Sequence, residues 1–126
     1  MSTRKRPPTK LAIGAYGFTV SRMSEEAARK AGVFGETDLH NQDVAINFGN
    51  TDQTVANTFL HEALHGVHWV SGLEDKPLEE EFTRQGANGI CELFRRNPKA
   101  MAWWLATLDP KAAREFATAL SAHLAA

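Results

Sequence analysis

The chain has 126 residues, of which 43% are hydrophobic and 23% charged, a balance that fits one ordinary globular domain with a core large enough to hold without disulfide staples. Its lone cysteine, Cys91, cannot form an intramolecular bridge. A formal net charge of −1 and a pI near 6.5 argue against nucleic acid as a partner, because such a domain usually carries a strong basic excess on one face. No stretch approaches the ~20 apolar residues of a membrane span, and no apolar run marks a secretory signal. The expected compartment is therefore the cytoplasm.

The first ten residues carry Arg4, Lys5, Arg6 and Lys10 with no acid, broken by Pro7 and Pro8. They read as a flexible basic arm over 1–10, with residues 11–126 as a single domain. Residues 11–20, LAIGAYGFTV, mix β-branched, aromatic and small side chains with two glycines, which suggests a strand with a bulge or a close backbone approach. Ser24 and the residues after it support one or two helical turns, stopped by Gly32 and Gly35. Across 44–48, Val44, Ile46 and Phe48 alternate with Ala45 and Asn47, the period of a half-buried strand.

From Thr51 the period changes to threes and fours. Val55, Phe59, Leu60, Leu64, Val67 and Trp69 define a long helix, with Thr51 or Asp52 as its cap and Ser71-Gly72 as its stop. Pro77 and the acids behind it open a second helix to about Arg96, with Phe82, Gly86, Ile90, Leu93 and Phe94 expected on its inward side. Asn97-Pro98 ends it. Two shorter helices follow over 99–108 and 110–124, and Trp103 and Trp104 are expected in the core.

Within the long helix lies His61-Glu62-Ala63-Leu64-His65, an HExxH pattern. Residues four apart on a helix lie one above the other, so both imidazoles can reach one cation while Glu62 projects beside them. Zinc suits this arrangement because it accepts neutral imidazole nitrogens and lowers the pKa of water to about 7. Glu62 would then serve as general base, taking a proton from that water and passing it to a leaving amine.

Hydrolytic zinc sites usually have three protein ligands. Cys91 sits well along the second helix on an apolar background, where a lone cysteine is commonly inert. Glu79, Glu80 and Glu81 are better placed at that helix's start. At about 100° per residue, Glu79 and Glu80 fall on or beside the inward face and Glu81 falls well away. Glu80 also shares its strip with the small Thr83 and Ala87. His68 lies seven residues after His61, a rise of about 10 Å. That is too far for one ion, leaving His68 to support the site or to pack on Trp69 or a neighbouring helix. His40 and His123 have no role readable from sequence. Tyr16, the only tyrosine, lies far upstream of the motif.

The runs FLHEALHGVHWVSGL and LEEEFTRQGANGICELFRRNP, with GVFGETDLHNQDVAINF upstream, resemble small phage- and prophage-encoded zinc metallopeptidases. These are similar in outline to the IrrE/ImmA and SprT-like minimal zincins. The resemblance spans roughly residues 11–108 and is most specific in the HExxH. It implies a gluzincin-type site: His61 and His65 as zinc ligands, Glu62 as general base, and Glu80 as third ligand, since Leu-x-Glu-Glu ahead of a small pair lies on Leu78 to Ala87. Gly86 departs from the aliphatic residue expected before Ala87, which leaves the register open by one residue.

The expected fold is α+β and zincin-like: a small, mostly antiparallel sheet of two or three strands packed on the HExxH helix and capped by three further helices. The strand at 44–48 is expected to line the cleft and to pair with an extended peptide or protein substrate. The alternative is a zinc-stabilised phage accessory or interaction protein that no longer cleaves anything. A phage origin would place the chain in the host cytoplasm. Neither substrate nor oligomeric state is readable from the residues.

Overall fold

A computed structural model describes residues 7–73 and 76–125. Among the described residues the protein is α+β, with a four-stranded mixed sheet and five helices. Four strands, β1 (Lys10–Ile13), β2 (Tyr16–Arg22), β3 (Gly35–Asp38) and β4 (Asp43–Ile46), lie in the order β1-β2-β4-β3. The pairs β1–β2 and β3–β4 are antiparallel and β2–β4 is parallel. Of the ten residues expected as a basic arm, the first six lie outside the described residues, while Lys10 already belongs to β1.

Two corrections to the expected sheet follow. Residues 11–20 are not one bulged strand but fall across a hairpin, reversed at Gly14-Ala15, where Gly14 adopts φ +59°. A positive φ at the first position of a two-residue loop suits the twist of a hairpin and favours glycine. The second correction is β3. Gly-Glu-Thr-Asp carries little β propensity, and pairing with β4 makes it a strand. Strand β4 is consequently interior, paired on both sides, and β3 rather than the 44–48 segment lines the cleft.

The three-and-four periodicity is realised as α2 (Asp52–Val70), capped by Thr51, whose side chain accepts from the Thr54 N–H. It lies across the sheet over Ile13, Phe18, Val44 and Ile46, which together with Val55 form the core. Short helix α1 (Glu25–Ala31) is capped by Ser24 and ended by Gly32 in the left-handed region. Glycine sets the spacing between α2 and the sheet. A Cβ at Gly66 would lie 2.6 Å from Ile13 Cδ1, and one at Gly35 would lie 2.8 Å from Thr58 Cγ2 and 3.0 Å from the Ala45 carbonyl oxygen.

Helices α3 (Glu79–Arg96), α4 (Pro98–Leu108) and α5 (Pro110–Leu124) complete the chain. The inward face of α3 is only partly the expected one: Gly86 and Ile90 are half-buried, with Gly86 facing Leu64 of α2, but Thr83 and Ala87 are the residues fully buried against α2, while Phe82 is 61% exposed and Leu93 and Phe94 are also open. Small side chains meet α2 because they let the helix axes come close, and the large apolar residues are left on the flank. Nor do the last two helices cap the body. They pack on each other, α4 reaches back to α3, and neither contains a buried residue; Trp103 and Trp104 are exposed.

Gly35→Ala is expected to lower stability by about 1–3 kcal/mol in urea denaturation, because the added methyl meets backbone as well as side chain. Gly17→Ala, with nothing within 4 Å of its Cβ position, is expected to change it by less than about 0.5 kcal/mol.

Candidate metal centre

Four residues apart on α2, His61 and His65 present their rings on one face, with centroids 5.0 Å apart. The first turn of α3 lies opposite. Glu80 reaches both rings: Oε1 is 2.9 Å from His61 Nε2 and Oε2 is 2.9 Å from His65 Nε2. One ligand atom from each of His61, His65 and Glu80 lies within 4.8 Å of the others, the one such grouping among the described residues.

Glu79 approaches from the other side of the ring. Its carboxylate accepts from His65 Nδ1 at 3.0 Å and from His68 Nδ1 at 2.7 Å. The Thr83 hydroxyl lies 2.7 Å from Glu79 Oε2 and 2.9 Å from the Glu79 carbonyl oxygen, and donates to one of them. Burial alone would push the Glu79 carboxyl up, but hydrogen bonds from His68, Thr83 and His65 overcome it and hold the group below the ordinary glutamate range. At neutral pH it is therefore an anion that accepts from both imidazoles. In a neutral His65 ring with its proton held on Nδ1 in this way, the Nε2 lone pair faces Glu80 Oε2 at 2.9 Å, two acceptors that a cation between them would reconcile. Of the places expected for His68, the neighbouring helix is the one it takes: it meets Glu79 and Thr83 of α3 and shares the Glu79 carboxylate with His65.

Glu81 points elsewhere. Its Oε1 takes hydrogen bonds from Arg84 at 2.6 Å and Gln85 at 2.7 Å on the helix's outer side. Cys91 is half-buried beside Asn57, His40 and His123 are exposed, and Tyr16 packs at a tilt on Trp69 in the last turn of α2. None of the four belongs to the cluster.

Glu62 is buried at 7% exposure. Thr37 of β3 donates to its Oε1 at 2.6 Å, with the Glu62 carbonyl oxygen 2.9 Å from the same hydroxyl. Thr37 was not legible because β3 has no strand pattern of its own, and the contacts of Glu79 were not because helical spacing places Glu79 and Glu80 on adjoining sides of one turn without saying which ring nitrogens each would meet. Both rings, Glu62, Glu79 and Glu80 border an open cleft of about 660 Å³ whose other wall is β3 with Val33, Phe34 and Leu39. Among the described residues no buried side-chain nitrogen or oxygen lacks a partner.

Comparison of the chain with known protein families, with curated proteins and with solved structures found no match. Function therefore has to be argued from the chemistry of the site. No helix among the described residues is long and apolar enough to cross a membrane.

Thr83→Val removes a hydroxyl that is fully buried between Glu79 and His68 and is expected to cost about 1–3 kcal/mol of stability. Thr83→Ser, which keeps the donor, is expected to retain more of it, as read from urea midpoints.

Proposed function

We propose that this chain is a zinc-dependent metallopeptidase of zincin-like fold, in which His61, His65 and Glu80 hold the metal and Glu62 is the general base. The observation that carries this reading is the meeting of two imidazole Nε2 atoms and one carboxylate at the wall of a cleft, with a second, buried carboxylate on the same helix turn. Two neutral imidazoles and a carboxylate are a donor set that zinc accepts, and three protein ligands leave a position for water. The absence of a thiolate from the cluster also argues against a closed, purely structural site.

When bound, zinc supplies Lewis acidity to a carbonyl and lowers the pKa of water to about 7. The remaining work falls to the chain. Glu79 orients His65 through Nδ1, and Thr37 holds the Glu62 carboxylate towards the cleft. Glu62 takes a proton from the attacking water as its oxygen bonds to the carbonyl carbon. The same carboxyl returns a proton to the nitrogen as the C–N bond breaks, releasing an acid and an amine.

Strand β3 supports the choice of a peptide as substrate. It is the sheet edge on the cleft side, and an extended segment can add to such an edge through main-chain hydrogen bonds. Interior β4, the strand first expected in this role, has no free edge to offer. Exposed Phe34 and Val33 give the cleft an apolar wall for substrate side chains.

Zinc content by atomic absorption and cleavage of a library of unstructured peptides test the assignment together. Wild-type protein is expected to hold one zinc per chain. His61→Ala, His65→Ala and Glu80→Ala are expected to lose it, and Glu79→Gln to weaken binding by about 10–100-fold. Glu62→Gln is expected to keep zinc and lose cleavage. Zinc binding without any Glu62-dependent product would leave the non-catalytic interaction protein as the better reading. A folded chain that binds no zinc would exclude both.

A further inference from the structure

We propose that the α4–α5 hairpin is the surface through which two copies of this chain associate. The proposal is independent of zinc. It begins from a helical pair that buries nothing of its own: no residue of α4 or α5 is buried, although the two helices pack together. Trp104 and Leu108 share one stripe of α4 with the half-buried Met101 and Leu105. On α5, Phe116, Leu120 and Leu124 share one side of the helix with the half-buried Ala112 and Ala113, while Lys111, Arg114 and Glu115 occupy the opposite side. Leu108 is 65% exposed and Leu124 76%, and neither stripe contains an acid, a lysine or an arginine.

The total surface says how large the missing cover is. The chain exposes 9099 Å², whereas a compact monomer of 13.9 kDa exposes about 6,700 Å². Allowing the nine residues outside the described range the largest area a residue can expose, roughly 160 Å² each, still leaves an excess of about 1,000 Å². A stable dimer buries about 800 Å² on each partner, so the excess is of the size that one symmetric interface removes.

The composition of the stripe selects a second copy over a transient partner. Surfaces that meet partners reversibly are about as polar as the rest of the protein, whereas homodimer interfaces are more apolar. A twofold axis presents the same patch to itself, which an uncharged stripe satisfies without any pattern of complementary charge. Two amphipathic helices from each chain then make a four-helix bundle, the smallest arrangement in which each helix of the hairpin has a core to face.

Light scattering on the chromatographed full chain at about 100 µM is expected to give about 28 kDa, twice the mass of one chain. Phe116→Glu combined with Leu120→Glu is expected to return the mass to that of one chain while far-UV circular dichroism stays helical. Leu124→Lys, at an exposed last turn, is a milder second variant expected to weaken the dimer in the same direction. A wild-type chain at single-chain mass, whether or not it then binds vesicles of anionic lipid, overturns the proposal. So does a two-chain mass that the folded variants leave unchanged.

Discussion

Helix α2 is met on two sides by the smallest side chains available, and the rest of the molecule depends on that closeness. Towards the sheet, Gly35 and Gly66 stand where any Cβ would strike a neighbour. Towards α3, Thr83 and Ala87 are buried completely. Side chains of greater bulk at these positions would separate the helix axes. The first turn of α3 would then withdraw from the histidine face, and carboxylates now 2.7–3.0 Å from imidazole nitrogens would lose contact. Close approach also removes water, which makes each hydrogen bond in the seam stronger and each unmet polar group costlier. The interlocked His65, His68, Glu79 and Thr83 network is what such a seam requires.

Three consecutive glutamates open α3, and helical geometry gives each a different task. Turning about 100° per residue, Glu80 faces the two Nε2 atoms, Glu79 reaches around to the two Nδ1 atoms, and Glu81 turns out to Arg84. The chemical distinction matters more than the spatial one. A carboxylate on Nδ1 raises the basicity of the ring and settles where its proton sits, whereas a carboxylate beside Nε2 competes for whatever the ring's lone pair can bind. Neighbours in sequence thus address opposite ends of one imidazole.

Much of this was legible in the residues. The helical turns after Ser24, the cap at Thr51, the stops at Gly32 and Ser71-Gly72, and the helical period through His61 and His65 all state local preferences that the fold obeys. The small strip of Glu80, Thr83 and Ala87 was likewise visible as a place where helices could approach. What escaped was decided by partners. Strand β3 has no pattern of its own and exists because β4 offers it hydrogen bonds. The inward face of α3 was misjudged because apolar bulk was taken as the guide, whereas the facing helix admits only small groups. Trp103 and Trp104 look like core residues on any local criterion, yet α4 has little of this chain to bury them against.

Thr37 lies on the edge strand and holds Glu62 by a hydroxyl contact of 2.6 Å. Two residues earlier on the same strand, Gly35 leaves no room for a Cβ in front of Thr58 of α2, so strand and helix lie close together there. The strand that forms the sheet edge and the buried carboxylate at the cleft are thus tied to each other through a single hydroxyl.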